Sequence, residues 1–272
     1  MKFQRIACIA LVAIPMGRSM HAQETSAKSD PRLEGLEAFE ARVHESEGGK
    51  LNYRLLKPLD FDKQSDKSVK YPLVLFLHGA GERGSENLRQ LIHGGKNFAN
   101  EDFRRRYGAF IVVPQSPADK KWVEVPWDAK EHVAPEDAGE TMNLVFSLLE
   151  ELQEEFPVDD ARIYGVGLSM GGYGTWDILG RKPGLLAAAA PICGGGDPAQ
   201  APMMKDTPIW AFHGGADPVV VPERSRKMVD AIRAAGGEPI YTEYEGVGHD
   251  SWTETFNNRL LWDWLFAQRR NP

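Results

Sequence analysis

Hydrophobic positions along this chain fall into two periodicities that take turns. Leu73 to Leu77, Phe110 to Val113, Arg162 to Val166, Leu186 to Ile192 and Ile209 to Phe212 are short, nearly unbroken apolar runs, the pattern of strands buried on both faces. Glu37 to His44 and Leu51 to Lys57 are amphipathic and predict an antiparallel hairpin, while Pro239 to Tyr244 predicts a last, edge strand. Between these runs the spacing turns helical. Glu136 to Glu155 carries Met142, Val145, Leu148, Leu149 and Leu152 on one face, and Pro157 stops it. Met170 to Leu179 predicts a short helix of small residues, and Glu223 to Ala235 an amphipathic one ended by Gly236 and Gly237. Thr253 to Gln268 predicts a closing helix whose Trp262, Trp264, Leu265 and Phe266 pack into the core. Such alternation predicts an α/β fold: a mostly parallel central sheet of about eight strands with helices on both faces. With no repeat and no linker, residues 36–272 read as one domain.

Composition changes this picture mainly at the N-terminus. Of 272 residues, 42% are hydrophobic, ample for a large core. Lys2 and Arg5 precede an apolar stretch, Ile6 to Met16, that is too short to cross a bilayer, and a polar segment ends at Ala22. Residues 1–22 therefore predict a signal peptide, with a retained anchor as the alternative, and 23–35 a flexible leader. The expected location is a bacterial periplasm or exterior, with no stable membrane association after cleavage. Cys8 would leave with the signal, so Cys193 would be alone, reading as a buried residue at a strand end. The formal net charge is −7, and loss of Lys2, Arg5 and Arg18 makes the mature chain more acidic, which excludes a nucleic-acid backbone as partner. Arg104, Arg105 and Arg106 read as a solvated helix end.

The chemistry begins at Gly167-Leu168-Ser169-Met170-Gly171. A G-x-S-x-G pentapeptide between a buried strand and a helix is the pattern of a nucleophile elbow, where a sharp reversal presents the serine and leaves no room for side chains at the flanking glycines. A serine hydroxyl needs a base, and the base needs a carboxylate to orient it. After Ser169 only His213 and His249 remain. His249 lies between the last strand and the last helix, where the base belongs, and Asp217 lies in the loop expected to supply the acid. Asp250 and Asp197 are the competing acids; Asp250 adjoins His249 and should point away from it. His213 and His78 read as structural. Two backbone N–H groups should meet the developing oxyanion. Met170 follows the nucleophile, and the loop after Leu77 offers Ala80, with Gly81 as alternative. Glu82 and Arg83 read as a structural ion pair, with contact to substrate as the alternative. No metal-binding cluster or cofactor motif appears, so neither is expected.

Leu77-His78-Gly79-Ala80-Gly81-Glu82-Arg83-Gly84, the elbow, His213-Gly214-Gly215-Ala216-Asp217-Pro218 and Gly248-His249-Asp250-Ser251-Trp252 together resemble bacterial α/β-hydrolases of the dienelactone-hydrolase, phospholipase/carboxylesterase and feruloyl-esterase-like group. The resemblance covers residues 36–268 and implies the α/β-hydrolase fold and a serine esterase. Ser169 stands where dienelactone hydrolases carry cysteine, which favours ordinary esters. Only the short stretch Gly194 to Asp206 occupies the usual place of a cap, so no large cap domain is expected. The expected substrate is an ester, small or polymer-attached: short acyl or hydroxycinnamoyl esters of polysaccharide, or polyesters. The alternatives are a serine peptidase of the prolyl-oligopeptidase type and a non-catalytic module. Trp127 and Gly81 are candidate substrate contacts; Trp122 and Trp252 read as pinning their loops. Oligomeric state stays open.

Overall fold

The computed structural model describes residues 30–66, 68–127 and 129–270; the predicted signal peptide lies outside them. Eight strands form one sheet: β1 Phe39–Ser46, β2 Gly49–Leu56, β3 Tyr71–Leu77, β4 Phe110–Pro114, β5 Val158–Leu168, β6 Ala188–Ile192, β7 Trp210–Gly214 and β8 Ile240–Tyr244. Their order is β1-β2-β4-β3-β5-β6-β7-β8. The predicted hairpin is β1–β2, and β2 runs antiparallel to β4; every other pairing is parallel. This is the mostly parallel α/β sheet that the alternation of runs predicts, in the arrangement that the resemblance to α/β-hydrolases implies.

Side chains leave a strand on alternate faces, and the sheet sorts its apolar residues accordingly. Leu73, Leu75 and Leu77 of β3, with Phe110 and Val112 of β4, join a core under α3 (Glu140–Glu155), α4 (Met170–Arg181) and α6 (Glu223–Ala234). Val74, Phe76, Ile111 and Val113 join the opposite core, under α1 (Gly95–Ala99), α2 (Glu101–Tyr107), α7 (Trp252–Asn257) and α8 (Arg259–Ala267). Burial on both faces is why these strands read as unbroken apolar runs. The 3-10 turn Pro31–Leu33 opens the described chain, and Lys96 Nζ donates to Pro31 O at 2.9 Å.

Two expectations change. The closing helix is two, because Asn258 is extended (φ −77°, ψ 97°) and its side chain caps the restart by accepting from Leu260 N. The helix expected from Glu136 begins at Glu140; Glu136 to Gly139 belong to the long connection before it. The stretch between β6 and β7 holds a short helix, α5 (Ala201–Met204), and no cap domain.

Candidate active site

At the carboxyl end of β5 the chain turns directly into α4, and Ser169 occupies the turn at φ 52°, ψ −116°, a conformation costly for a residue with a side chain. Its N–H donates to Ile192 O at 2.9 Å. The turn closes only because its flanks are bare. A Cβ on Gly167 would lie 2.2 Å from Gly171 O, and one on Gly171 would lie 1.9 Å from Leu77 O. Although Ser169 stands at the N-terminus of α4, its side chain makes no capping bond there. The hydroxyl meets His249 Nε2 at 2.9 Å instead.

His249 Nδ1 lies 2.7 Å from Asp217 Oδ2. Asp217 is buried, and its other oxygen accepts from the N–H groups of Val219 (2.8 Å) and Val220 (3.0 Å). Burial alone would push this carboxyl up, but hydrogen bonds from His213, His249, Val220 and Val219 outweigh it and hold the group well below the usual carboxylate range. A carboxylate only accepts, so Nδ1 carries the ring proton and Nε2 offers its lone pair to Ser169. The loops bearing the acid and the histidine are stitched together: Gly215 N donates to Tyr244 O (2.8 Å) and Ala216 N to Val247 O (2.9 Å).

The competing acids are engaged elsewhere. Asp250 accepts from the N–H and hydroxyl of Thr253 at the start of α7. Asp197 accepts from Ala199 N and Ala134 N. His213 is fully buried; its Nε2 lies 2.8 Å from Val220 O and 3.3 Å from Asp217 Oδ2, and its Nδ1 2.7 Å from Ser225 Oγ. Because the Val220 carbonyl only accepts, Nε2 of His213 carries a proton.

The loop after β3 lies against the elbow, with a Cβ on Gly79 falling 3.7 Å from that of Ser169. Three successive carbonyls of this loop each accept a side-chain donor: His78 O from Trp122 Nε1 (2.9 Å), Gly79 O from His78 Nδ1 (2.6 Å) and Ala80 O from Arg83 Nε (2.9 Å). Ser116 N donates to His78 Nε2 at 3.0 Å, so His78 is neutral, and burial pulls its pKa down to about 4. Among the described residues no hydrogen bond takes the N–H of Ala80 or of Met170. Gly81 faces open space.

Glu82 and Arg83 do not form the expected ion pair. Arg83 is spent on backbone carbonyls and on the face of Trp127 (5.9 Å), while Glu82 turns under the loop to His93 Nε2 at 3.6 Å. Burial pushes the Glu82 carboxyl up. The Trp127 ring also lies under Lys121 Nζ (4.7 Å), and Trp127 O accepts from the Tyr173 hydroxyl at 3.4 Å. Trp122 is fully buried, as a loop-pinning residue should be. Trp252 does more than pin: its ring meets His249 edge-on at 5.4 Å and His93 at 5.1 Å. Sequence reasoning missed His93 because it comes from a distant segment; the one signal for Trp252 was its place three residues after His249.

This elbow, at the head of a mostly parallel sheet with an acid and a histidine in later loops, defines an α/β-hydrolase. Comparison with known proteins agrees. The sequence profile of the dienelactone hydrolase family matches residues 128–258. A thermostable esterase of known structure is 38% identical with a TM-score of 0.79, over 86% of this chain and 64% of its own. A probable carboxylesterase from Oryza sativa subsp. japonica is 25% identical over 206 residues, 70% of this chain and 75% of its own length. The bifunctional acetylxylan esterase/xylanase XynS20E of Neocallimastix patriciarum is 26% identical over 160 residues, 57% of this chain but 21% of the fungal enzyme. The chain thus spans under two thirds of two of these three relatives. The chain is similar to carboxylesterase-type hydrolases and shares the α/β-hydrolase fold with them.

Proposed function

We propose that the protein is a secreted serine carboxylic-ester hydrolase acting through Ser169, His249 and Asp217. The observation that carries this reading is the unbroken relay from Asp217 Oδ2 to His249 Nδ1 (2.7 Å) and from His249 Nε2 to Ser169 Oγ (2.9 Å). Ser169 attacks the ester carbonyl as His249 Nε2 takes its proton; the C–O bond to the alcohol breaks as the same nitrogen returns that proton to the leaving oxygen. Water, deprotonated by His249, then releases the acyl group. The Ala80 and Met170 amides hold the oxyanion. In support, the trans peptide that turns Gly79 O onto His78 turns the Ala80 N–H the opposite way, and the bracing of three carbonyls fixes the loop before substrate arrives.

The alcohol side of the ester lies beside His249, which must reach its oxygen. There Trp252 and His93 border a cavity of about 410 Å³ that shares Lys96, Asn97, Phe256 and Asn257 with a larger one of about 910 Å³. An open, extended space on that side favours a bulky or polymeric alcohol, such as polysaccharide bearing short acyl or hydroxycinnamoyl groups, or a polyester. Trp127 and Gly81 are the other candidate substrate contacts. Export rests on the sequence of residues 1–22, and no helix among the described residues is long and apolar enough to cross a membrane.

The test is release of p-nitrophenol from acetate, butyrate and longer esters by wild type, Ser169→Ala and Asp217→Asn, beside a peptide p-nitroanilide. Turnover should fall at least ~10³-fold in both variants. Ester turnover unchanged in Ser169→Ala would remove the assignment, and preferred cleavage of the anilide would make the protein a peptidase.

A further inference from the structure

Beneath the relay lies a group the reaction does not use. Cys193, the residue after β6, is fully buried, takes the left-handed backbone (φ 40°) and is anchored by its N–H to Phe212 O at 2.8 Å. Its sulfur, a carboxylate oxygen of Asp217 and a ring nitrogen of His249 all lie within 4.8 Å of one another. Beside the thiol is the buried hydroxyl of Ser251, which interacts with the sulfur and has no other hydrogen-bond partner.

We propose that Cys193, Asp217 and His249 form a binding site for a thiophilic divalent cation of the zinc class, and that its occupation switches the hydrolase off. Thiolate, imidazole and carboxylate are the donors such a cation prefers, and tetrahedral ligand atoms stand roughly 3 to 4 Å apart. To reach that spacing the His249–Asp217 pair, 2.7 Å apart, must open and the thiol must close in. The fourth position falls to Ser251 Oγ or to water. Thiolate and carboxylate together cancel the dication, so the filled site is neutral, as a buried cluster must nearly be. Burial pushes the thiol pKa up in the empty protein, so binding has to expel its proton. The cation reaches the site past His249, whose side chain is 20% exposed.

Inhibition follows from the tautomer. The cation takes Nδ1, the nitrogen that faces Asp217, in place of its proton. A neutral ring then carries its proton on Nε2, which donates to Ser169 Oγ instead of accepting from it. One proton, from the thiol, is released per cation, and the ring keeps one. The base is lost although the fold is unchanged.

The site shares residues with the proposed triad, but its binding can be read apart from catalysis. In the full chain, Zn²⁺ alone should inhibit ester turnover, and a chelator should restore it. Cys193→Ser, with Cys193→Ala as a second variant should the first misfold, should keep turnover and need at least tenfold more Zn²⁺ for equal inhibition. Cd²⁺ added to Ser169→Ala should give the ultraviolet thiolate-to-cadmium band at one cation per chain. Ser169→Ala with Cys193→Ser should lose that band, which separates Cys193 from Cys8. Equal Zn²⁺ sensitivity with and without Cys193, no inhibition of wild type, or a band that survives loss of Cys193 would each overturn the site. A Cys193-dependent band in a protein without ester turnover would uphold the site and sink the proposed reaction.

Discussion

The elbow at Ser169 and the long connection from residue 115 to 139 pack against each other and are held in opposite ways. At the elbow, backbone rests on backbone: Gly167 and Gly171 approach so closely that neither tolerates a Cβ. The connection has no helix or strand among its described residues. It is tied down by side chains from elsewhere: Arg181 donates to Pro135 O and Glu136 O, Arg224 to Ala129 O, and Asp197 accepts from Ala134 N. Its own Trp122 plugs into the body and caps His78 O. The lesson is that one loop is shaped by its own glycines and the other by side chains from later segments of the chain.

The sharpest way to break the comparison is Gly171→Ala. One methyl group would stand 1.9 Å from the Leu77 carbonyl, a rigid strand atom that cannot move aside. The expected result is loss of activity and destabilisation above about 4 kcal/mol, beyond the ordinary range for point changes. Urea unfolding and esterase assays check both; a stable, active variant would mean the elbow is not held by close backbone contact.

On the other side, Trp122→Ala should cost about 3–5 kcal/mol through the cavity it leaves. Trp122→Phe separates packing from the hydrogen bond. It keeps most of the buried ring but frees His78 O, costing about 1 kcal/mol of stability. It should also lower kcat more than it raises KM, because the brace on the proposed oxyanion loop slackens. Equal effects on both constants would count against the brace.

This contrast also explains what the sequence could reveal. The convergence of Ser169, Asp217 and His249 was legible because each lies in a short motif at a strand end. Asp217 could be preferred over Asp250 as the partner of His249 because adjacent residues cannot easily face each other, and Asp250 accepts from Thr253 instead. The buried stretches of β3 and β4 were legible because burial on both faces writes an unbroken apolar run, although β3 starts two residues earlier, at Tyr71, and β4 ends one later, at Pro114. The pairing of Glu82 was not: the sequence shows Arg83 beside it, whereas the fold brings His93 to it across short 3-10 turns that no periodicity marks. The break at Asn258 was hidden because apolar residues continue on both sides of it.

A gentler test uses pH on His78, the histidine between the two regions. Its folded pKa of about 4 lies below the ordinary 6.5, because burial penalises the charged ring and the Arg83 guanidinium adds to the penalty. Between those values the unfolded chain binds a proton that the folded chain does not. Stability therefore falls as pH drops from about 6.5 to about 4, by at most about 3 kcal/mol from this residue, and falls no further on its account below that. His132, also held to about 4 by burial, adds to the slope. His78→Gln should be less stable at pH 7 and flatter across this window in denaturant titrations. An unchanged slope would mean His78 is not held neutral.

The smallest effect separates binding from folding. Trp252 is only half-buried, so Trp252→Ala should change stability little, yet its ring is the one aromatic surface in contact with the His249 ring among the described ring pairs at the site. If the alcohol side of the ester lies along Trp252, esters of bulky alcohols should lose about tenfold in kcat/KM, the worth of one aromatic contact. Methyl and ethyl esters of the same acid, too short to reach the ring, should change by less than about threefold. A uniform loss across both series would instead assign Trp252 to the positioning of His249, since a mispositioned base slows every ester alike.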